Sequence, residues 1–319
     1  MKKILLVRLS SMGDVIHNLP AVTDLARAFP DAQIDWVVEE GFREIPRLHP
    51  AINRVIPFSL RRWRKKPLAA LAGDEISDFA RELRAEHYDL ILDSQGLAKS
   101  ALVAKLAHGK VAGYDRASAR EPLASCFYSQ KSKVDRSLHA IERNRLLSAQ
   151  TLGYELTGAI DYGLPKPAVD LPWLPAERHV VLLTATSRAD KEWAEEYWIE
   201  LGRRFVAQGL RCVLPWGGAH EKARSERLAA AIPNALCPPR MSLTEAAALL
   251  AGAQIVVGVD TGLAHLAAAM ATPVVAIFCA SDPVKTGVLA GTYAVNLGAH
   301  GAPPTVDAVW AAVTAGARP

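Results

Sequence analysis

Cysteine is scarce in this sequence, four residues in 319, and no two of them are close together. Cys126, Cys212, Cys237 and Cys279 stand mostly among apolar neighbours. That excludes a disulfide framework and a zinc site, and it points to a reducing compartment. Long hydrophobic runs are also missing. The opening apolar run lasts only from Ile4 to Val7 before Arg8 interrupts it, too short for the core of a signal peptide. The longest apolar stretch, Gly262 to Ala280, contains His265 and Pro273 and reads as helix, turn and strand instead of a membrane span. A cytoplasmic protein is expected. Several fingerprints are absent. No GxGxxG follows the first apolar run, which disfavours a dinucleotide dehydrogenase; there is no GxxxxGKS or GxxxxGKT, no HExxH and no GxSxG. No Asp-x-Asp occurs, so neither a metal-bridged diphosphate nor any other metal site is expected. The net charge of +4 is too small for a protein that coats nucleic acid.

What is present is globular: half the residues are apolar, 22% are charged, and mean hydropathy is +0.09. The length suits about two domains. The whole charge surplus lies in the first half, with 25 Lys/Arg against 21 Asp/Glu through Asp170 and 12 against 12 beyond. Short Val/Ile/Leu runs recur at 3–8, 33–38, 54–58, 88–93 and 110–113, then at 179–184, 210–215, 254–259, 273–278 and 293–297. Between them lie helical patterns at 20–29, 75–86, 97–107 and 138–152, then 194–207, 220–231, 243–251, 262–269 and 306–315. Continuous apolar runs are strands buried on both faces, and their alternation with helices implies parallel sheets. Residues 163–175 hold four prolines within eleven positions and cannot form a helix or a central strand. We therefore expect an α/β protein of two Rossmann-like doubly wound domains, residues 1–162 and 176–319, joined by a stiff linker at 163–175 and facing a cleft.

Ligands of such sheets bind beyond the carboxyl ends of the strands. After the first run comes Arg8-Leu-Ser-Ser-Met-Gly-Asp14 and a helix. Asp14 either caps that helix or serves as a general base. The run 254–259 ends in Asp260-Thr-Gly-Leu-Ala-His265. A helix start there, opened by Gly262, suits a phosphate, and Asp260 or Thr261 also suits capping. A single histidine in a first helical turn, such as His265, is by itself more often a packed residue. Thr186, Ser187 and Lys191 follow the run 179–184 and suit an anion. Glu221 follows Trp216-Gly-Gly; it fits either ribose hydroxyls or the helix dipole. Ser242-Leu-Thr-Glu245 reads as a capping box, and Met241 before it as core. Arg61-Arg-Trp-Arg-Lys-Lys66 is either a solvated face or an anion site, with an anionic small molecule or lipid headgroup fitting better than nucleic acid.

The segments Ser10–Pro20, Thr186–Trp193, Leu214–Gly217 and Val259–His265, together with Arg61–Lys65 and Arg120–Ser125, closely resemble the ADP-heptose glycosyltransferases, lipopolysaccharide heptosyltransferases of GT-B fold, and their type I branch in particular. The resemblance spans essentially the whole chain. It implies an inverting, metal-independent transfer of heptose from ADP-heptose to the Kdo of a Kdo-lipid A acceptor, with no cofactor and no nucleic-acid partner. It implies a protein on the cytoplasmic face of the inner membrane, in peripheral contact with it. By position, Thr186, Ser187 and Lys191 would hold the diphosphate, Glu221 the ribose and Met241 the adenine region. Asp260, Thr261, Gly262 and His265 would complete the donor site. Asp14 would be the base, and Arg61, Arg62, Arg64, Lys65 and Arg120 would bind the acceptor. Ser187 stands where the family often has threonine, with the hydroxyl kept. The alternatives left open are a related transferase with another donor or acceptor, and a nucleotide-sugar binder without turnover.

Overall fold

The computed structural model describes residues 2–65, 73–186, 188–290 and 292–316. The chain divides into two compact units, Met1–Gly163 and Leu164–Pro319. The first contains β1 (Lys3–Val7), α1 (Met12–Ile16), α2 (Leu19–Ala28), β2 (Gln33–Glu39), α3 (Glu44–Arg47), β3 (Ile52–Phe58), α4 (Leu60–Lys65), α5 (Glu75–Arg84), β4 (His87–Asp93), α6 (Ala98–Leu106), β5 (His108–Tyr114), β6 (Gln130–Ser132) and α7 (Ala140–Leu152), with a 3-10 turn at Pro122–Phe127. Its six strands are all parallel, in the order 3-2-1-4-5-6. β1 is central, and Ile4, Leu5, Leu6 and Val7 are all buried, as the unbroken apolar run requires.

The second unit contains β7 (His179–Leu183), α8 (Glu195–Ala207), β8 (Arg211–Val213), α9 (Ala219–Ala231), α10 (Leu243–Gly252), β9 (Val256–Val259), α11 (Gly262–Ala269), β10 (Val274–Phe278), β11 (Ala294–Gly298) and α12 (Val306–Gly316). Its five parallel strands run in the order 11-10-9-7-8. Trp193, Trp198 and Phe205 pack with Val180, Leu182 and Val257 in its core. Residues 164–178 contain no helix or strand.

Both sheets are doubly wound, so each has a point where the strand order reverses. It lies between β1 and β4 in the first unit and between β7 and β9 in the second. The loops leaving adjacent strands diverge there and leave room for a ligand. All ten apolar runs of the sequence are strands. The sequence pattern did not show β6, α3 or α4: β6 is the polar edge triplet Gln-Lys-Ser, and α4 buries none of its residues, so neither carries an apolar signature. Among the described residues no helix is long and apolar enough to cross a membrane.

Candidate active site

In the first unit the chemistry gathers at the β1/β4 reversal. Asp14 sits in α1, three residues after the N-cap Ser11. Its Oδ2 accepts the Ser11 backbone N–H at 2.9 Å and the Ser11 hydroxyl at 3.0 Å. Its Oδ1 accepts from Arg8 Nη2 at 2.9 Å. Arg8 is buried, and its other terminal nitrogen donates to the carbonyl of Ser94, just beyond β4. Burial pushes the Asp14 carboxyl up, but the Arg8 charge, the Ser11 bonds and the Arg120 charge outweigh it and hold the group below its ordinary 3.8. Asp14 is therefore a carboxylate at neutral pH, with Arg120 close enough to act on it.

The supporting loops are tied strand to strand. Gln95 Oε1 accepts the Leu9 N–H at 2.7 Å. Asp93, fully buried at the end of β4, accepts from Tyr128 Oη at 2.7 Å, Ser100 Oγ at 2.8 Å and the backbone N–H groups of Gln95 and Gly96. Gly96 has φ +67°, and a Cβ there would press on Tyr114 and the Arg120 backbone, so this turn needs glycine. Arg61 N–H donates to the buried Glu39 at 3.0 Å, and Glu39 N–H donates to the Leu9 carbonyl at 2.9 Å. The basic helix α4 is thus linked to the Asp14 loop. Within it Arg62 bonds Glu40 and Glu75, while Arg64 and Lys65 are exposed. Trp63 packs edge-on to Phe58 and Phe79; it anchors the helix instead of facing a ligand.

In the second unit the β7/β9 reversal brings three predicted residues together. Lys191 Nζ donates to Asp260 Oδ2 at 2.6 Å, the Ser281 hydroxyl to the same oxygen at 2.7 Å, and the Thr186 hydroxyl to the Asp260 carbonyl at 3.0 Å. Burial raises the Asp260 carboxyl, but the bonds from Lys191 and Ser281 and the charges of Lys191 and His265 bring it below its usual value. α11 begins at once with Gly262. Its N-cap Thr261 makes no side-chain cap bond, so neither Thr261 nor Asp260 consumes the donors of the first turn by capping. His265 is buried in that turn. Ser187 lies outside the described residues.

The Glu221 carboxylate accepts the Gly217 N–H at 2.6 Å and the Gly218 N–H at 3.3 Å, both through Oε2, and shapes the loop after β8. Met241 is half-buried before α10, whose Ser242–Glu245 capping box is present. No bond among the described residues joins Glu221 or Met241 to the Lys191 cluster. Sequence reasoning missed Arg8 and Arg224. Arg224, buried in α9, donates to the carbonyls of Thr184 (3.2 Å) and Trp193 (2.6 Å) and pairs with Glu192 and Glu195 at 3.1 Å. It staples both ends of the loop that carries Thr186 and Lys191. Among the described residues no group of three or more His, Cys, Asp or Glu is placed to hold a metal ion.

Comparison with known proteins adds a third line of observation. The family model "Glycosyltransferase family 9 (heptosyltransferase)" matches residues 76–310. Lipopolysaccharide heptosyltransferase 1 of Pseudomonas aeruginosa is 49% identical over 300 residues, covering 93% of this chain and 83% of that protein. The solved structure of E. coli heptosyltransferase WaaC with ADP is similar at TM-score 0.90 and 41% identity, covering 99% of this chain and 100% of that one. The same enzyme with ADP-2-deoxy-2-fluoro heptose gives 0.87 and 42% over the same shares.

Proposed function

The chain belongs to glycosyltransferase family 9, the heptosyltransferases, and from that premise we propose that it moves heptose from ADP-heptose to the Kdo of a Kdo-lipid A acceptor in lipopolysaccharide inner-core synthesis. The observation that carries this reading is the Thr186–Lys191–Asp260 cluster beside the start of α11, in a chain 41% identical to a heptosyltransferase solved with ADP. A cation, hydroxyls and uncapped helix N–H groups suit a diphosphate.

In this reading the donor lies on the second unit. Lys191, the hydroxyls of Thr186 and Ser187, and the N–H groups at Thr261 and Gly262 stabilise the charge that grows on the departing ADP. Each such donor is typically worth ~3 kcal/mol of barrier. Glu221 serves the ribose and Met241 the adenine region, and Asp260 and His265 complete the donor site. The acceptor lies on the first unit, where Arg61, Arg62, Arg64, Lys65 and Arg120 pair with its carboxylates and phosphates. Asp14 takes the proton of the attacking Kdo hydroxyl. That oxygen forms its bond to the anomeric carbon on the face opposite ADP as the bond to ADP breaks, which inverts the centre. A lowered carboxyl is a weak base towards a resting alcohol. It suffices here because the hydroxyl turns acidic only as the new bond forms. No divalent ion enters this scheme. The chain contacts the cytoplasmic face of the inner membrane peripherally, because its acceptor is a lipid.

The test is a transfer assay with ADP-heptose and Kdo-lipid A, with and without EDTA. Heptosylated product with inverted anomeric configuration is expected in both arms. Binding of ADP-heptose without transfer would overturn the reading, and loss of transfer in EDTA would overturn its metal independence.

A further inference from the structure

Seven large hydrophobic side chains among the described residues are exposed, and three of them lie on two neighbouring elements of the first unit. Leu102 (54% exposed) and Leu106 (38%) stand one turn apart on α6, and Leu123 (62%) stands on the adjoining 3-10 turn Pro122–Phe127. The other four, Ile76, Val169, Tyr197 and Val284, lie in separate segments. α6 buries Ser100, Ala101, Val103 and Ala104, so its outward face reads Lys99, Leu102, Lys105, Leu106: two leucines flanked by two lysines, all exposed. The 3-10 turn is fixed beside the helix, because Glu121 accepts the Ala98 N–H at 2.7 Å and its own N–H donates to Gly96 at 2.9 Å.

The charge of the chain segment that carries these leucines is one-sided. Residues 96–133 carry seven Lys/Arg against two Asp/Glu, while the whole chain is only +4. Lys99, Lys105 and Lys110 enter none of the ion pairs among the described residues, in contrast to Arg62, Arg81 and Arg204 elsewhere. Unpaired lysines around exposed leucines are poorly suited to a neutral protein partner. They match a surface with an apolar interior and a negative headgroup layer. The turn also adjoins the candidate site in the chain: Arg120, whose charge acts on Asp14, directly precedes Glu121 and stands three residues before Leu123.

We propose that the α6 face and the 3-10 turn, through Leu102, Leu106, Leu123 and the lysines 99, 105 and 110, dock the first unit on an anionic phospholipid bilayer. The leucines enter the headgroup boundary and the lysines contact lipid phosphates. A lipid-anchored acceptor is then met at Arg120 and Asp14 without leaving its membrane. This last step rests on the lipid acceptor proposed above; the docking itself does not.

The test uses the full chain with vesicles of phosphatidylethanolamine and phosphatidylglycerol, and with phosphatidylcholine vesicles as the neutral control, at ~0.15 M salt. The wild type should co-sediment with the anionic vesicles and release at high salt. Leu102→Ser/Leu106→Ser/Leu123→Ser should weaken retention roughly tenfold or more, and Lys99→Glu/Lys105→Glu/Lys110→Glu should abolish the anionic preference. Cys126 is exposed on the same turn while Cys212 and Cys279 are buried. An environment-sensitive dye on Cys126, in a Cys237→Ser background, should shift to the blue on anionic vesicles. Both triple variants should keep wild-type transfer to a deacylated, water-soluble Kdo acceptor and lose it on the vesicle-embedded one through a higher KM. A wild type that stays in solution, variants retained like wild type, or an equal loss on the soluble acceptor would overturn the proposal. So would a serine variant that changes only the mass in solution, which would make the face a protein interface. Asp14→Asn separates the two claims: it should bind vesicles normally and fail with the soluble acceptor. Normal activity there would sink the base assignment and leave the docking face standing.

Discussion

Replacing Asp14 by asparagine removes the charge and keeps the shape. The amide still accepts the Ser11 N–H, so the capping function survives. What is lost is the proton acceptor and the bond from Arg8 Nη2 to Oδ1, because the single amide oxygen serves Ser11 and the NH2 then faces the guanidinium. General-base assistance is worth ~10²–10⁴ in rate, so kcat should fall by that factor, about 3–5.5 kcal/mol of barrier. The structural cost is separate. The Arg8 side chain is 8% exposed and that of Asp14 21%, and a hydrogen bond to a charged group contributes ~1.5–3 kcal/mol. Because the buried Arg8 then keeps only the Ser94 carbonyl, the loss of stability should lie at the upper end, with ADP affinity unaffected. The pH dependence follows from the lowered carboxyl. Its stabilising contribution is complete above the unfolded value near 3.8 and disappears as pH falls through the lower folded value. Wild-type activity attributable to Asp14 should therefore persist well into the acid range, and the residual activity of Asp14→Asn should lack that acid limb. Single-turnover transfer, ADP titration and thermal unfolding on both proteins decide it. A fall in turnover of less than about tenfold, with donor binding intact, would refute the base assignment.

Lys191→Ala should weaken ADP binding ~10–100-fold, the equivalent of one charge-assisted bond; calorimetric titration with an unchanged Kd would remove Lys191 from the donor site. Arg224→Met should cost ~3–5 kcal/mol of stability, because it strands Glu192 and two buried carbonyls, and should lower Tm by roughly 10 °C. A variant that melts like wild type would show the staple to be dispensable. His49 gives a pH signature: burial holds its ring neutral to about 4, against 6.5 when free. Its Nδ1 accepts the Ala51 N–H at 3.2 Å, which a protonated ring cannot do. The unfolded chain takes up the proton first, so stability should be full above pH 6.5 and fall by ~2 kcal/mol between pH 7.5 and 5. In denaturant titrations His49→Asn should lack that slope, and an identical slope would assign it elsewhere.

The strands were legible because parallel sheets bury both faces, so each central strand is a bare apolar run. The candidate residues at Asp14, Thr186, Lys191 and Asp260 were legible for a related reason: polar residues that directly follow such runs stand at the open edge of the sheet. Arg8 and Arg224 could not be found this way. Arg8 looks like the end of a strand, and its role depends on Ser94, which is 86 positions away. Arg224 lies in a polar helix and acts on residues about 30 and 40 positions earlier. Glu221 shows the limit of spacing arguments. An acid in a first helical turn behind two glycines fits a ribose or its own loop, and only the N–H groups of Gly217 and Gly218 reveal that the loop is satisfied first.

Asp93 and Asp260 stand at equivalent places, the ends of the strands β4 and β9 that flank the two reversals. Burial pushes both carboxyls up. Asp93 is met only by neutral donors, a phenol, a hydroxyl and two amides, and stays raised. Asp260 is met by Lys191 and ends lowered. One cation thus separates a raised carboxyl in a turn clamp from a lowered one beside the helix start. In the first unit the cation falls one loop away, on Arg8, and the lowered carboxyl is accordingly Asp14 and not Asp93. The reversal of the sheet supplies the opening in each unit, but the position of the positive charge decides which carboxyl is held below its ordinary value.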